Sequence, residues 1–222
     1  MKRPSFLFIA NRDRRGVALI EFALAFPLLL TFGMGGLEYS QFALAVHKVS
    51  QSANAMADNL SRVGTKSSLT TTQLREADII DTFRGMERQA GNLNVGLHGR
   101  VIVSSLERNA SGGQWIRWQR CLGTMVYPSS YGNAGDGASG TSFPGMGPAG
   151  SEVKAPPGTG QAVMFVEIAY EYQPMFTSMI LPPTLLKSYS AFIVRSPRDT
   201  AAGVTNPSPS VTSYTCDRHT AS

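Results

Sequence analysis

The sequence predicts an α+β protein: a long N-terminal transmembrane helix continuing into a small extracytoplasmic head with a further helix and an antiparallel sheet. Three observations predict it. An almost unbroken apolar run, VALIEFALAFPLLLTFGMGG, starts at Val17 directly after the basic stretch Arg12-Asp-Arg-Arg-Gly16. Apolar residues then recur at three- and four-residue steps in two stretches, the period of a helix. Beyond Gly91 the pattern changes to short runs of β-branched and aromatic residues bounded by turn residues, which read as strands.

The first helix follows from length. About twenty residues at ~1.5 Å rise span roughly 30 Å, the thickness of a bilayer core. Lys2, Arg3, Arg12, Arg14 and Arg15 precede the run against Asp13 alone, and no basic residue follows until Lys48. Such an excess marks the cytoplasmic side, so the chain beyond Glu38 is expected outside. A cleavable secretory signal with Ala43-Leu44-Ala45 as its cleavage site is the competing reading. Signal cores are only ~7–15 residues, however, and this run is longer and contains Glu21 and Pro27. A plain anchor leaves Glu21 unexplained, since a carboxylate deep in a membrane helix costs ~2.5–3.5 kcal/mol on insertion scales. Cleavage between Gly16 and Val17 would explain it. The new α-amino group would lie one turn from Glu21, and opposite charges four residues apart attract. Glu21 could equally meet the amino terminus of a neighbouring helix.

A short basic leader ending in glycine, followed by a hydrophobic helix with glutamate at its fifth position, resembles the class III signal peptide of prepilins. The string RRGVALIEFALAFPLLL, continuing to Gly-Leu-Glu-Tyr, is similar to the TadE/TadG-like family of minor pilins or pseudopilins of the tight-adherence (Flp-type) pilus system. The resemblance implies that Gly16 closes the leader, that Glu21 is the pilin-type acidic residue with Phe22 beside it, and that Pro27 is the helix proline. It also implies cutting by a prepilin peptidase on the cytoplasmic side.

In order along the chain, 1–16 are expected as the leader and 17–63 as transmembrane and stem helix. Tyr39, Phe42, Ala43, Val46, Val49 and Ala53 extend the helical period past the membrane, and Gly64 ends it. A pilin-like stem of that length measures ~70 Å. Gly33, Gly35 and Gly36 permit close helix approach. The head begins with a second helix over 72–90, with Thr72 as N-cap and Leu74, Ala77, Ile80, Phe83 and Met86 on one stripe. The acids Glu76, Asp78, Asp81 and Glu87 read as a solvated face. Strands follow at 100–108 and 114–120, joined by a turn at Asn109–Gly113, with Trp115 and Trp118 on opposite faces of the second. Residues 128–160 carry nine glycines and five prolines and read as a long flexible loop with little to offer a core. Within 161–195, strands are expected at 162–172 and 188–195, and their Gln-Pro link also resembles the C-terminal half of TadE-like proteins. A polar tail occupies 196–222, tied back only through Cys216.

The 222-residue chain has a formal net charge of +5 and a pI near 9.4. The leader supplies +4 of that charge, so the basicity orients the chain and argues for no nucleic-acid partner. Cys121 and Cys216 both fall outside, where a disulfide persists; two buried free thiols are the alternative. No catalytic residue, cofactor or metal is expected. Gly135–Gly140 matches GxGxxG without a strand before it or a helix after it. Ser151–Lys154 matches SxxK among prolines and glycines. His47, His98 and His219 lack ligand spacing.

The resemblance thus implies a minor pilin or pseudopilin subunit anchored in the bacterial inner membrane, its N-terminus cytoplasmic and its head periplasmic, with incorporation in a surface pilus left open. Its partners would be the prepilin peptidase and other pilin-type subunits, met through the N-terminal helix. The competing reading is a single-pass anchored extracytoplasmic binding module that never enters a filament.

Overall fold

The computed structural model describes residues 15–66, 71–176, 178 and 181–221, with the backbone alone at Arg15. Two units emerge, Met1–Phe42 with Pro174–Pro182, and Ala43–Gln173 with Pro183–Ser222. Helix α1, Arg15–Arg62, enters both. It passes through Pro27, whose missing N–H costs the helix one bond; Thr31 Oγ1 donates to the Pro27 carbonyl at 2.8 Å.

In the second unit α1 buries Ala45, Val49, Ser52, Ala53, Met56, Ala57 and Leu60, the three- and four-residue spacing that gathers side chains on one helical stripe. Its end is built by Arg198. That guanidinium donates to the Leu60 carbonyl at 2.7 Å and to the Val63 carbonyl, two of the carbonyls a helix terminus leaves unpaired. Gly64 follows at φ +140°, where a Cβ would stand 2.8 Å from the Gln73 carbonyl oxygen. Only glycine fits that approach.

Strand β1 (Thr65–Lys66) pairs with β2 (Thr72–Arg75), and β2 pairs in parallel with β7 (Val204–Thr205). Helix α2 therefore starts at Glu76, not at Thr72, and runs to Ala90. Thr72 lies in β2, and the expected cap is replaced by Asp78, which accepts the Arg75 N–H at 3.1 Å and grips the Arg75 guanidinium. The acidic face is likewise corrected. Glu76 and Asp78 are buried, and Glu76 takes both its oxygens to Arg120. A single turn α3 (Val95–His98) leads into the main sheet.

That sheet has the order β4-β3-β5-β6, antiparallel throughout, from Gly99–Arg108 (β3), Gln114–Leu122 (β4), Val163–Glu171 (β5) and Leu185–Ile193 (β6). Its central strands β3 and β5 are buried on both faces along almost their whole length, so both faces must be covered. One face carries Val101, Val103, Met164, Val166 and Ile168. Arg120 projects from it to Glu76, which puts α2 on that side. The other carries Ile102, Leu106, Ile116, Val163 and Phe165.

Two expectations about the sheet are corrected. Trp115 and Trp118 share a face. Ser105 pairs with Trp118 and Leu106 with Ile116, so Arg117 is an extra bulged residue that flips the alternation between them. Residues 128–160 form no strand or helix among the named elements, yet they roof the second face. Met146 and Ala155 join Leu106, Ile116, Val163 and Phe165 in one buried cluster, with Tyr131, Phe143 and Val153 against it. Glycine makes this roof close: a Cβ at Gly137 (φ +75°) would lie 2.1 Å from the Gln114 carbonyl oxygen. Glu167 is buried beneath the roof and accepts from Ser129 Oγ, Tyr127 Oη and the Ser130 N–H.

The segment from Ser196 is no loose tail. Besides Arg198 and β7, the Cys121 N–H donates to the Tyr214 carbonyl at 2.7 Å and the Gly123 N–H to the Thr220 carbonyl at 2.8 Å. Cys121 and Cys216 form a disulfide. Arg100, 1% exposed, donates to the carbonyls of Gly123, Cys216 and Arg218.

Candidate functional site: the exposed apolar helix

The unit holding the start of α1 is arranged in the opposite way to the head. Val17, Leu19, Ile20, Phe22, Leu24, Phe26, Leu28, Leu29, Leu30 and Phe32 are all exposed. Burying one such side chain is worth ~1.5–3 kcal/mol. Leaving ten in water therefore forfeits roughly 15–30 kcal/mol, more than the ~5–15 kcal/mol by which a whole domain is stable. This surface has to meet lipid or other apolar helices. By length and composition the helix can cross a membrane; its most apolar 18-residue window has a mean hydropathy of 2.1 and buries none of its residues against the rest of the chain. The apolar helix thus fits a membrane anchor.

The residues singled out by sequence lie at its beginning. Arg12 and Arg14 fall outside the described residues, and Arg15 opens the helix. Gly16 is helical, and beyond the helix's own backbone no atom of the described residues lies within 4 Å of where a Cβ would be. Val17 and Glu21 are both in α1, four positions apart and therefore on one face. Glu21 is exposed and makes no hydrogen bond or ion pair with another described residue. Phe22 is exposed and stacks on Phe26, one turn along, with ring centroids 5.2 Å apart. Gly33, Gly35 and Gly36 also face open space.

Chemically this surface can do three things: enter a bilayer, pack laterally against a like helix, and offer one carboxylate to a cation near its N-terminal end. A family model described as TadE-like protein matches residues 16–58. This segment is TadE-like. The match begins at the glycine where the basic stretch gives way to the apolar run, and it takes in Glu21, Phe22 and Pro27. The resemblance drawn from RRGVALIEFALAFPLLL holds there, and a TadE-like segment on a single apolar helix fits a protein associated with tight-adherence pili. The TadE-like match stops within α1, short of the sheet. No curated protein and no solved structure matches the chain.

Sequence reasoning missed Glu38, at the other end of the apolar run. It is 0% exposed. Its oxygens accept the backbone N–H of Met175 at 3.1 Å and of Phe176 at 3.0 Å. No local signal could have found it, because the donors lie 137 and 138 residues away. The head also has a cleft of about 400 Å³, lined by Arg100, Ile102, Cys121, Tyr127, Cys216 and His219 among others. Arg100 is already committed there to three carbonyls. Among the described residues no three His, Cys, Asp or Glu side chains lie close enough to hold a metal ion.

Proposed function

We propose that this chain is a minor pilin or pseudopilin-type subunit of a tight-adherence (Flp-type) pilus system, held in the inner membrane by α1 with its head on the periplasmic side. A prepilin peptidase cuts it between Gly16 and Val17. The role is structural: the exposed helix packs beside the helices of other subunits while the head stays outside the bilayer. The observation that carries the reading is the coincidence of three boundaries at Gly16. The basic stretch ends there, the apolar surface begins there, and the TadE-like match starts there.

Cutting at that bond makes physical sense of Glu21. It becomes the fifth residue of the mature chain, one turn from a new ammonium group, and an ion pair at that spacing offsets part of the cost of a carboxylate in the membrane. The five basic residues of the leader keep the N-terminus cytoplasmic, where the peptidase acts.

Intact mass and N-terminal sequencing of protein from native membranes, with and without the prepilin peptidase, test the reading. A mature start at Val17 that depends on the peptidase is expected. An intact Met1 start in both strains would overturn processing and favour an anchored module that enters no filament. A start near Val46 would mean a secreted protein.

A further inference from the structure

Between β5 and β6 the chain runs from Tyr172 to Thr184 without a single charged residue. Within the first structural unit this connection lies against α1 through Glu38, the first charge after the apolar run. Met175 is 60% exposed and Phe176 40% exposed, while Tyr39, next to Glu38 on the helix, is 60% exposed. Three exposed apolar or amphipathic side chains therefore belong to residues that bind or adjoin a fully covered carboxylate at one end of a membrane-length helix.

We propose that the β5–β6 connection dips into the lipid headgroup–acyl boundary, with Met175 and Phe176 as membrane-contacting side chains and Glu38 as the group that lets their backbone do so. The inference rests on α1 being a membrane anchor. A non-helical segment is tolerated at membrane depth only where its amides are satisfied, because no water is there to take them. Glu38 accepts the two amides that carry the two exposed side chains. The same contacts take the carboxylate out of lipid. An aromatic or amphipathic side chain at the boundary is the usual membrane-interface anchor, and Tyr39 stands at the same level of the helix. Glu38 ties the connection to the same unit as the exposed apolar helix, which argues for lipid rather than a protein partner.

The test is depth-dependent fluorescence quenching of the full-length protein reconstituted in phosphatidylcholine–phosphatidylglycerol vesicles. Phe176→Trp and Met175→Trp are compared with Leu24→Trp in mid-helix, and the signal of the unsubstituted protein, with Trp115 and Trp118 in its head, is subtracted. Both loop variants are expected to emit at shorter wavelength than in water. Spin-labelled lipid carrying its label near the glycerol should quench them more than lipid labelled near the chain end, with the reverse order for Leu24→Trp. Quenching of the loop variants by aqueous iodide and not by lipid would overturn the proposal. So would protection from both quenchers that is lost when the protein is diluted in lipid, which would assign the surface to a second copy. If Leu24→Trp also escapes lipid quenching, the membrane-anchor reading itself falls; if only the loop variants escape, the anchor stands and this inference fails.

Discussion

Replacing both cysteines with alanine separates what the disulfide does from what Arg100 does. The bond joins residues 95 apart in sequence. In the chain-entropy account, opening a loop of that size costs ~4.7 kcal/mol, nearly all of it through extra freedom of the unfolded chain. The folded C-terminal segment should barely move in Cys121→Ala/Cys216→Ala. Its backbone is still paired at Tyr214 and Thr220, the Tyr214 ring still lies 5.7 Å from Phe83, and Arg100 still holds the carbonyls of Cys216 and Arg218. For a domain of this size 1 kcal/mol moves Tm by ~2–4 °C, so a fall of roughly 10–20 °C is expected.

Arg100→Met acts on the folded state instead. It leaves three carbonyls without their donor, and the ~1–3 kcal/mol cost of a buried unsatisfied group applies in full to the buried bond at Gly123 and less to the part-buried ones at Cys216 and Arg218. With the disulfide intact the segment stays tethered at Cys216. With it removed as well, only the backbone pairs at Tyr214 and Thr220 and the Tyr214–Phe83 contact remain, and the segment should become a trypsin substrate at Arg218. Thermal unfolding by circular dichroism of the full chain in detergent, with limited proteolysis of each variant, reads both effects. A fall in Tm of only ~3 °C or less for the double-alanine variant would refute the chain-entropy reasoning. Cleavage at Arg218 in that variant, with Arg100 intact, would refute the assignment of the folded contacts.

The remaining predictions concern single carboxylates. Burial pushes the Glu107 carboxyl above its ordinary 4.5, against the opposing pull of Ser105 and Arg117. The folded state therefore binds more protons than the unfolded one in the window above 4.5, and stability contributed by this group falls as pH rises through it. Glu107→Gln should remove that fall, giving a flatter Tm profile across the mildly acidic range measured by calorimetry; an unchanged profile would refute the assignment. Glu21→Leu should leave the protein in the membrane fraction, since removing the charge eases insertion, while pilus assembly scored by surface filaments is lost. Normal assembly by the Glu21→Leu variant would sink the proposed role of the carboxylate.

Local pattern makes α1, α2 and the four long strands legible, because each depends on a period that the residues themselves carry. What escapes is long-range or one residue out of step. The bulge at Arg117 has no signature in an alternating run, so simple alternation puts Trp115 and Trp118 on opposite faces. Composition marks 128–160 as a loop, and it is irregular, but composition cannot say that Met146 and Ala155 complete a core under it. Thr72 reads as a cap because threonine often is one; in the structure it pairs in β2, and Asp78 instead accepts the N–H of the cap residue Arg75 from inside the helix. Arg100 and Arg198 are invisible for another reason. Each binds backbone carbonyls far away in sequence, and nothing in a sequence marks which carbonyls a fold will leave unpaired. Of the candidate site, Glu21 is legible from its place in the apolar run, whereas Glu38 needs its donors on Met175 and Phe176.

The two carboxylates of the apolar helix differ in where their compensation comes from. Glu38 finds it within the chain, from two backbone amides that themselves need an acceptor. Glu21 has no such partner among the described residues, and at ~2.5–3.5 kcal/mol it takes back much of what the apolar run gains at ~0.3–0.6 kcal/mol per Leu, Ile, Phe or Val. The anchor survives that cost because the run holds ten such residues. Under the proposed function the missing compensation is a cation made by cleavage after Gly16, on this chain or on a neighbour. The uncut helix is then the less comfortable state of the anchor, and processing followed by lateral packing relieves it. Glu38 fixes the chain to itself, while Glu21 is left to be satisfied by the next step.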